Sequence, residues 1–239
     1  AFPSTFPVAR YRLEFTTEKP IHLPEYGGSA LRGAFGHGLR QAACVTREPD
    51  CRSCALYRSC SYPAIFETPP PSDYSRRVLA NVPHPFVVEP PPWGERAHDR
   101  GSALNFSVVL IGPALKQLPL VLLAWRKALR LGLGPREGTA HLDRVFVEGD
   151  PDPVHVDQAG RIRPHDQNLR LPSPERAPEE VTLVFDTPLR LRRDGRARQD
   201  GEGERGEQAR GHGDPPSRWV IVGRRPVAGR LSSADAATW

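Results

Sequence analysis

The order of strand-like and helix-like apolar patterns is the strongest constraint on the fold. Apolar and polar residues alternate from Val8 to Thr17, which is the period of a strand with one buried face. Apolar residues then recur at helical spacing from Leu31 to Ala42, and Ser29 just before them is a plausible N-cap. The chain therefore opens with a strand followed by a helix.

The same succession returns further along the chain. A Pro-rich stretch contains a short apolar run, Phe86 to Val88, which suits an edge strand. Leu104 to Leu110 alternate, Leu115 to Leu129 repeat at spacings of three and four, and Leu142 to Val147 supply another strand. The order β-α-β-β-α-β predicts an α+β fold of the ferredoxin-like, or RRM-like, type.

The composition divides the chain into four parts. We expect a first ferredoxin-like domain over residues 1–150, with a four-cysteine insertion at 44–60. Residues 151–180 are rich in proline and are expected to be a linker. A strand over 181–192 is expected to begin a second domain of the same kind, and 193–239 to be a disordered tail.

The tail has an abrupt start. Arg192 to Asp214 contain no Val, Ile, Leu, Phe, Tyr or Trp, so this segment cannot bury enough apolar area to fold. Either the chain is truncated or shifted in reading frame near Arg193, or it carries a genuine flexible tail. The chain also contains no Met, so we expect its true start to be missing.

The charge balance favours an anionic partner. The formal net charge is +5 and the isoelectric point is about 9.3, although arginine usage this high partly reflects GC-rich codons. No apolar stretch approaches the roughly 20 residues that a membrane helix needs. We expect a cytoplasmic protein without a membrane partner.

All four cysteines, Cys44, Cys51, Cys54 and Cys60, follow the pattern C-x6-C-x2-C-x5-C. The central C-x2-C pair places two thiolates on one turn, and two further sulfurs complete a tetrahedral shell that suits structural zinc. A [4Fe-4S] cluster takes the same four ligands and is an alternative to zinc. Disulfides and free thiols are further alternatives, although a reducing cytosol disfavours disulfides. A closed shell leaves no position for a reacting water, so such a metal would be structural.

Several segments together resemble one known family, the CRISPR precursor-RNA processing endoribonucleases of the RAMP superfamily. The most specific are the run Gly28 to Gly36, with its leucine-arginine-glycine core, and the cysteine cluster. With weaker similarities included, the resemblance extends over about residues 8–192. The weaker similarities lie at Tyr62 to Thr68, Pro85 to Val87, Val109 to Gly112, Gly132 to Gly134 and Phe185 to Leu191.

This resemblance implies a protein that binds CRISPR repeat RNA with two ferredoxin-like domains and cuts it once per repeat. The implied reaction needs no metal: a ribose 2′-hydroxyl attacks the adjacent phosphate and leaves a 2′,3′-cyclic phosphate and a 5′-hydroxyl. Such chemistry uses a general base, a general acid and charge stabilisation. Subunits of a CRISPR effector complex are further possible partners.

The family often has a catalytic histidine in or near its first helix, and His37 occupies that place here. We expect His37 to point away from the apolar face of the helix, with Tyr26 as a second acid or base. The small residues Gly33 and Gly36 would let a phosphodiester approach, and Arg32 and Arg40 would contact the RNA.

Other interpretations remain open. His37 is one of eight histidines and could be solvated or capping, and His84, between two prolines, is either structural or close to the cut site. The whole protein could be a non-catalytic RNA-binding RAMP subunit of an effector complex. A zinc- or cluster-containing nucleic-acid-binding or scaffold protein is the third interpretation.

Overall fold

The computed structural model describes residues 5–70, 82–92, 94, 97–133, 138–156, 160–170, 180–185, 192–193, 196–197 and 219–224, the last four ranges by their backbone alone. The helices are α1 (Gly28–Ala43) and α2 (Leu118–Leu131). The strands are β1 (Thr5–Phe6), β2 (Val8–Thr17), β3 (Ile21–His22), β4 (Phe86–Glu89), β5 (Ala97–His98), β6 (Ala103–Ile111), β7 (Ala140–Val147), β8 (His155–Val156), β9 (Leu169–Arg170), β10 (Glu180–Phe185), β11 (Arg192–Arg193), β12 (Arg196–Ala197) and β13 (Trp219–Arg224).

A five-stranded antiparallel sheet forms the centre of the first part of the chain. Its order is β4-β6-β2-β7-β8, and β2 pairs with β6 on one side and with β7 on the other. The four longest strands of this sheet and the two helices thus follow each other along the chain as β2, α1, β4, β6, α2 and β7. The predicted α+β class is confirmed, and the sheet is antiparallel throughout.

Both helices cover one face of this sheet, because the alternate residues of its strands are apolar there. Tyr11, Leu13 and Phe15 of β2 are buried, while the residues between them are exposed or half-buried. Phe15 stacks on Phe106 of β6 with ring centroids 5.3 Å apart, and Phe106 lies 4.7 Å from the ring of Trp125 in α2. Helix α1 joins the same core through its inward-facing apolar residues.

The helix starts differ from the sequence predictions. Ser29 is not the N-cap of α1: that position is Gly27, whose carbonyl accepts from the N–H of Leu31 at 3.0 Å, and Ser29 lies inside the first turn. The regular part of α2 begins at Leu118 rather than near Leu115, because a 3-10 turn, Gly112–Gln117, comes first. Both α2 and this turn carry a proline at their first positions, where no N–H is required.

The chain divides into two compact units, residues 1–172 and 173–239. The first holds the sheet and both helices, and within it β8 pairs with β7 and β9 with β1. In the second, β10 pairs with β13, and β11 with β12. Most of the expected tail, 193–239, lies outside the described residues, so the disorder and truncation stay predictions.

No helix within the described residues has both the length and the apolar character needed to cross a bilayer.

The two helices cross closely at one glycine. A Cβ atom on Gly38 would lie 2.3 Å from the carbonyl oxygen of Ala124 and 2.9 Å from the Cβ of Ala128, so the helices cannot accommodate a side chain there. Gly33, in the same helix, has no atom within 4 Å of the position where its Cβ would be. The sequence does not distinguish these two glycines, whereas the packing does.

Gly38→Ala should lower the free energy of unfolding by about 1–3 kcal/mol, because the new methyl group overpacks the helix crossing. Gly33→Ala, the matched control, should leave it unchanged or raise it by up to about 1 kcal/mol, since alanine favours the helix. Urea denaturation of both variants measures the difference. Equal effects of the two substitutions would show that the crossing is not tightly packed.

Candidate nucleic-acid interface

A groove runs along α1 where it meets the end of α2. It has a volume of about 510 Å³ and is open on one side. Helix α1 contributes mostly small residues to it, and α2 and the segment after it contribute the opposite wall. The lining residues are Ser29, Ala30, Gly33, Ala34 and His37 on one side and Ala128, Leu131, Gly132 and Leu133 on the other.

His37 lies at this groove and is exposed, as the helical spacing predicted. Its Nε2 atom accepts a hydrogen bond from the side-chain amide of Gln41, one turn later, at 3.0 Å. Since Nε2 is the acceptor, the remaining proton of a neutral ring is on Nδ1. The imidazole is therefore accessible to a ligand and held by a single neighbour on its own helix.

The two glycines expected to bind RNA have different environments. A Cβ on Gly36 would lie 2.5 Å from the ring of Phe66, so this glycine is required by packing inside the protein. Gly33 is one turn before His37, and the space above it is empty. Only Gly33 therefore offers a ligand close access to the helix backbone.

The two arginines expected to contact RNA also differ. The guanidinium of Arg32 lies 5.0 Å from the ring centroid of Phe66 and 4.9 Å from that of Phe86, and no carboxylate of the described residues pairs with it. Arg40 instead donates to the carbonyl oxygens of Glu48 and Pro49, the latter at 3.0 Å. Arg32 thus keeps its donors for a ligand, whereas Arg40 holds a neighbouring loop.

The structure does not bring Tyr26 and His37 together. The ring of Tyr26 lies against the start of α1, where a Cβ on Gly28 would be 2.7 Å from it. Gly28 and His37 are nine positions apart, which corresponds to about 13.5 Å along a helix. Tyr26 is 37% exposed and accessible, but it lies beside another part of the helix.

A second cleft lies beside Arg32 and contains His84. It has a volume of about 430 Å³, and its walls include Arg52, Glu67 and Thr68. The Nδ1 atom of His84 and the hydroxyl of Thr68 form a hydrogen bond of 3.0 Å. Thr68 has a φ of 46°, which is rare for a β-branched residue. In the sequence, only its position between two prolines drew attention to His84. No sequence feature indicated a role for Thr68.

Burial lowers the pKa of His84, and the positive charge of Arg32 lowers it further. Its imidazole is therefore neutral at neutral pH and can accept or donate a proton there. The neighbouring guanidinium and this neutral ring together form a pair suited to a phosphate and its proton.

The cysteine loop, residues 44–60, holds the four predicted metal ligands. All four are free thiols that line one pocket of about 210 Å³. The N–H of Arg47 donates to the sulfur of Cys44 and lowers its pKa, whereas burial raises the pKa of Cys51. Within the described residues, no three Cys, His, Asp or Glu side chains already converge as ligands of one ion.

Comparison with known proteins assigns the family. The family model AF_1859_N, N-terminal domain, matches residues 6–167, which include the whole five-stranded sheet and both helices. This match covers well over half of the chain, and the chain therefore belongs to the AF_1859_N family.

Among solved structures, the chain is similar to one in the crystal structure of the Csm3-Csm4 subcomplex of the type III-A CRISPR-Cas interference complex. The identity is 18%, the TM-score is 0.37, and the match covers 59% of this chain and 77% of the other. This similarity is too low to establish a shared fold. No curated protein matches the sequence.

Arg32→Gln should raise the pKa of His84 towards its ordinary value, because the substitution removes a nearby positive charge. NMR titration of the His84 ring measures the change. Arg130→Gln, an exposed arginine on α2, is the control and should leave the titration unchanged. Equal titration curves in wild type and Arg32→Gln would contradict the effect of the Arg32 charge on His84.

Proposed function

We propose that this protein is a cytoplasmic, RAMP-type RNA-binding protein of a CRISPR system. The motif resemblance supports this assignment, and the order of β2, α1, β4, β6, α2 and β7 supports a ferredoxin-like fold for residues 1–150. The sheet order, with the second strand at one edge beside the third and the first beside the fourth, is the one that this fold has. The ligand is CRISPR repeat RNA, and other subunits of an effector complex are its protein partners.

The observation that carries the binding site is the empty space above Gly33, next to the exposed His37. A glycine in the middle of a helix costs about 1 kcal/mol relative to alanine. Packing accounts for that cost at Gly36 and Gly38 but not at Gly33. Close approach of a sugar-phosphate backbone to the helix explains why a glycine is present at position 33.

Arg32 extends this site around α1. Its guanidinium is held on two aromatic rings with its donors available, so little side-chain entropy is lost when it binds a phosphate. Arg32 and Gly33 are adjacent in the helix and therefore face different directions, about 100° apart. A bound strand would contact both only by passing across the exposed side of α1.

Metal-independent cleavage of the bound RNA is the second proposed function, and the exposed imidazole of His37 favours it. When RNA displaces the side-chain amide of Gln41 from Nε2, His37 can take the proton of a ribose 2′-hydroxyl through this nitrogen as that oxygen attacks the adjacent phosphorus. The 5′-oxygen leaves with a proton from a second donor, and a 2′,3′-cyclic phosphate remains. Because Tyr26 lies beside another part of the helix, we propose that it contacts RNA near the start of α1 rather than acting with His37.

Gly33→Leu should weaken binding of a repeat RNA about tenfold or more, because the side chain enters the groove at a position where its Cβ meets no atom within 4 Å. Ala97→Leu, at an exposed position of β5, is the matched control and should bind like wild type. Fluorescence anisotropy with a labelled RNA at several salt concentrations measures the affinities. If Gly33→Leu binds as tightly as wild type, the groove is not the RNA site.

His37→Ala should slow cleavage about 10² to 10⁴-fold while binding changes little, because the imidazole acts as an acid or base rather than as an anchor. Cleavage is followed without added divalent ions, and the product ends are identified by mass spectrometry. A repeat RNA with a 2′-deoxyribose at the cut is the control and should stay intact. Tight binding by the wild-type protein without any cleavage would leave the RNA-binding subunit as the function.

A further inference from the structure

The cysteine loop is ordered without an apolar core of its own. Among its residues only Cys51 is buried, while Val45 is 79% and Leu56 is 40% exposed. Hydrophobic burial is the usual source of stability for a folded segment, and this loop has little of it. Apart from the hydrogen bonds that Arg40 donates to the carbonyl oxygens of Glu48 and Pro49, a further interaction must therefore hold the loop in its compact form.

The four thiols of the cysteine loop lie around one pocket. They come from the end of α1, from the 3-10 turn Cys51–Ser53 and its C-cap, and from the residues before Ser61, yet all of them line the same pocket. None is paired in a disulfide. Four sulfurs around one pocket form a donor set for a soft metal ion.

The turn after Cys44 is shaped to support a thiolate. The backbone N–H groups of Thr46 and Arg47 both donate to the sulfur of Cys44. To do so, Arg47 adopts a φ of 59°, in the left-handed region that residues other than glycine rarely occupy. Backbone strain of this kind persists where the surrounding structure requires it.

The hydroxyl of Thr46 links the two halves of the loop. It lies 3.3 Å from the sulfur of Cys54 and 3.9 Å from that of Cys44. The two sulfurs are therefore neighbours across the pocket, although they come from different turns. Each cysteine sulfur is positioned by one rotatable bond with three staggered states, so the thiols can turn inward while the backbone keeps its course.

We propose that the four thiols of the cysteine loop bind a single structural zinc ion. Zinc accepts four thiolates in a closed tetrahedral shell and has no redox chemistry of its own. The shell joins the end of α1 to the segment that begins at Ser61, and it takes no part in the proposed RNA cleavage. Its presence or absence can therefore be measured independently of RNA binding.

Elemental analysis of the full chain, purified from cells supplied with both zinc and iron, tests the proposal. We expect about one zinc ion per chain and little iron. Cys54→Ser should reduce the zinc content about tenfold or more, whereas Ser59→Ala, an exposed substitution in the same loop, should retain it. Iron accompanied by an equal amount of acid-labile sulfide, or a chain without any metal, would overturn the proposal.

Trypsin digestion tests whether the ion stabilises the loop. Three exposed arginines lie between the cysteines, at positions 47, 52 and 58. Cleavage there should be about tenfold or more faster in Cys54→Ser than in wild type or Ser59→Ala, because the loop opens more often without its ion. Equal cleavage of the zinc-loaded wild type and the zinc-free variant would overturn the structural role.

Discussion

The fold depends on a continuous series of aromatic contacts that joins the sheet to both helices. Phe15 and Phe106 stack on the sheet, Trp125 brings in α2, and Phe35 of α1 stacks on Trp125 with centroids 4.9 Å apart. Phe86 of the edge strand lies 5.0 Å from Phe35. Aromatic pairs bury large areas in defined geometries, so this series sets the rotation of α1 about its own axis. Because the rotation of α1 decides which residues face the core, it also places Gly33 and His37 on the exposed side.

The same series extends beyond the core towards the second cleft. Phe66, in the π-helical turn Pro63–Glu67, contacts both Phe35 and Phe86. Its ring fills the space left by Gly36 and lies under the guanidinium of Arg32. One aromatic side chain therefore explains both a glycine in the helix and the position of the Arg32 guanidinium. The core and the candidate RNA surface share residues at this point.

The regular elements were predictable because each has a repeating apolar pattern. The period of two over Val8 to Thr17 gave β2 its correct bounds, and α1 and α2 follow from apolar spacings of three and four. The start of α1 was predicted wrongly at Ser29, because serine is a frequent N-cap. The N-cap is Gly27, which has no side chain and caps the helix with its backbone alone. Local rules identify elements more reliably than their ends.

The site was predictable only in part, because its residues are distinguished by neighbours that are distant in the chain. Gly33, Gly36 and Gly38 look alike in the sequence, yet one faces open space, one faces Phe66 and one faces α2. Arg32 and Arg40 lie two turns apart in α1, but the second reaches the carbonyl oxygens of a loop whose course has no periodic signal. The pairing of His84 with Thr68 depends on an irregular turn in the same way.

Arg40 connects the cysteine loop to the helix that carries the candidate RNA surface. It donates to two carbonyl groups of the loop, and its guanidinium lies 5.8 Å from the ring of Tyr62, which stacks on Phe66. Cys60 is two residues before Tyr62, so a rigid cysteine loop also restrains the start of the segment that supports Arg32. Within the described part of the chain, His37 bonds instead to Gln41 on its own helix. Loss of order in the cysteine loop should therefore disturb the arginine side of α1 and leave the groove at His37 largely intact.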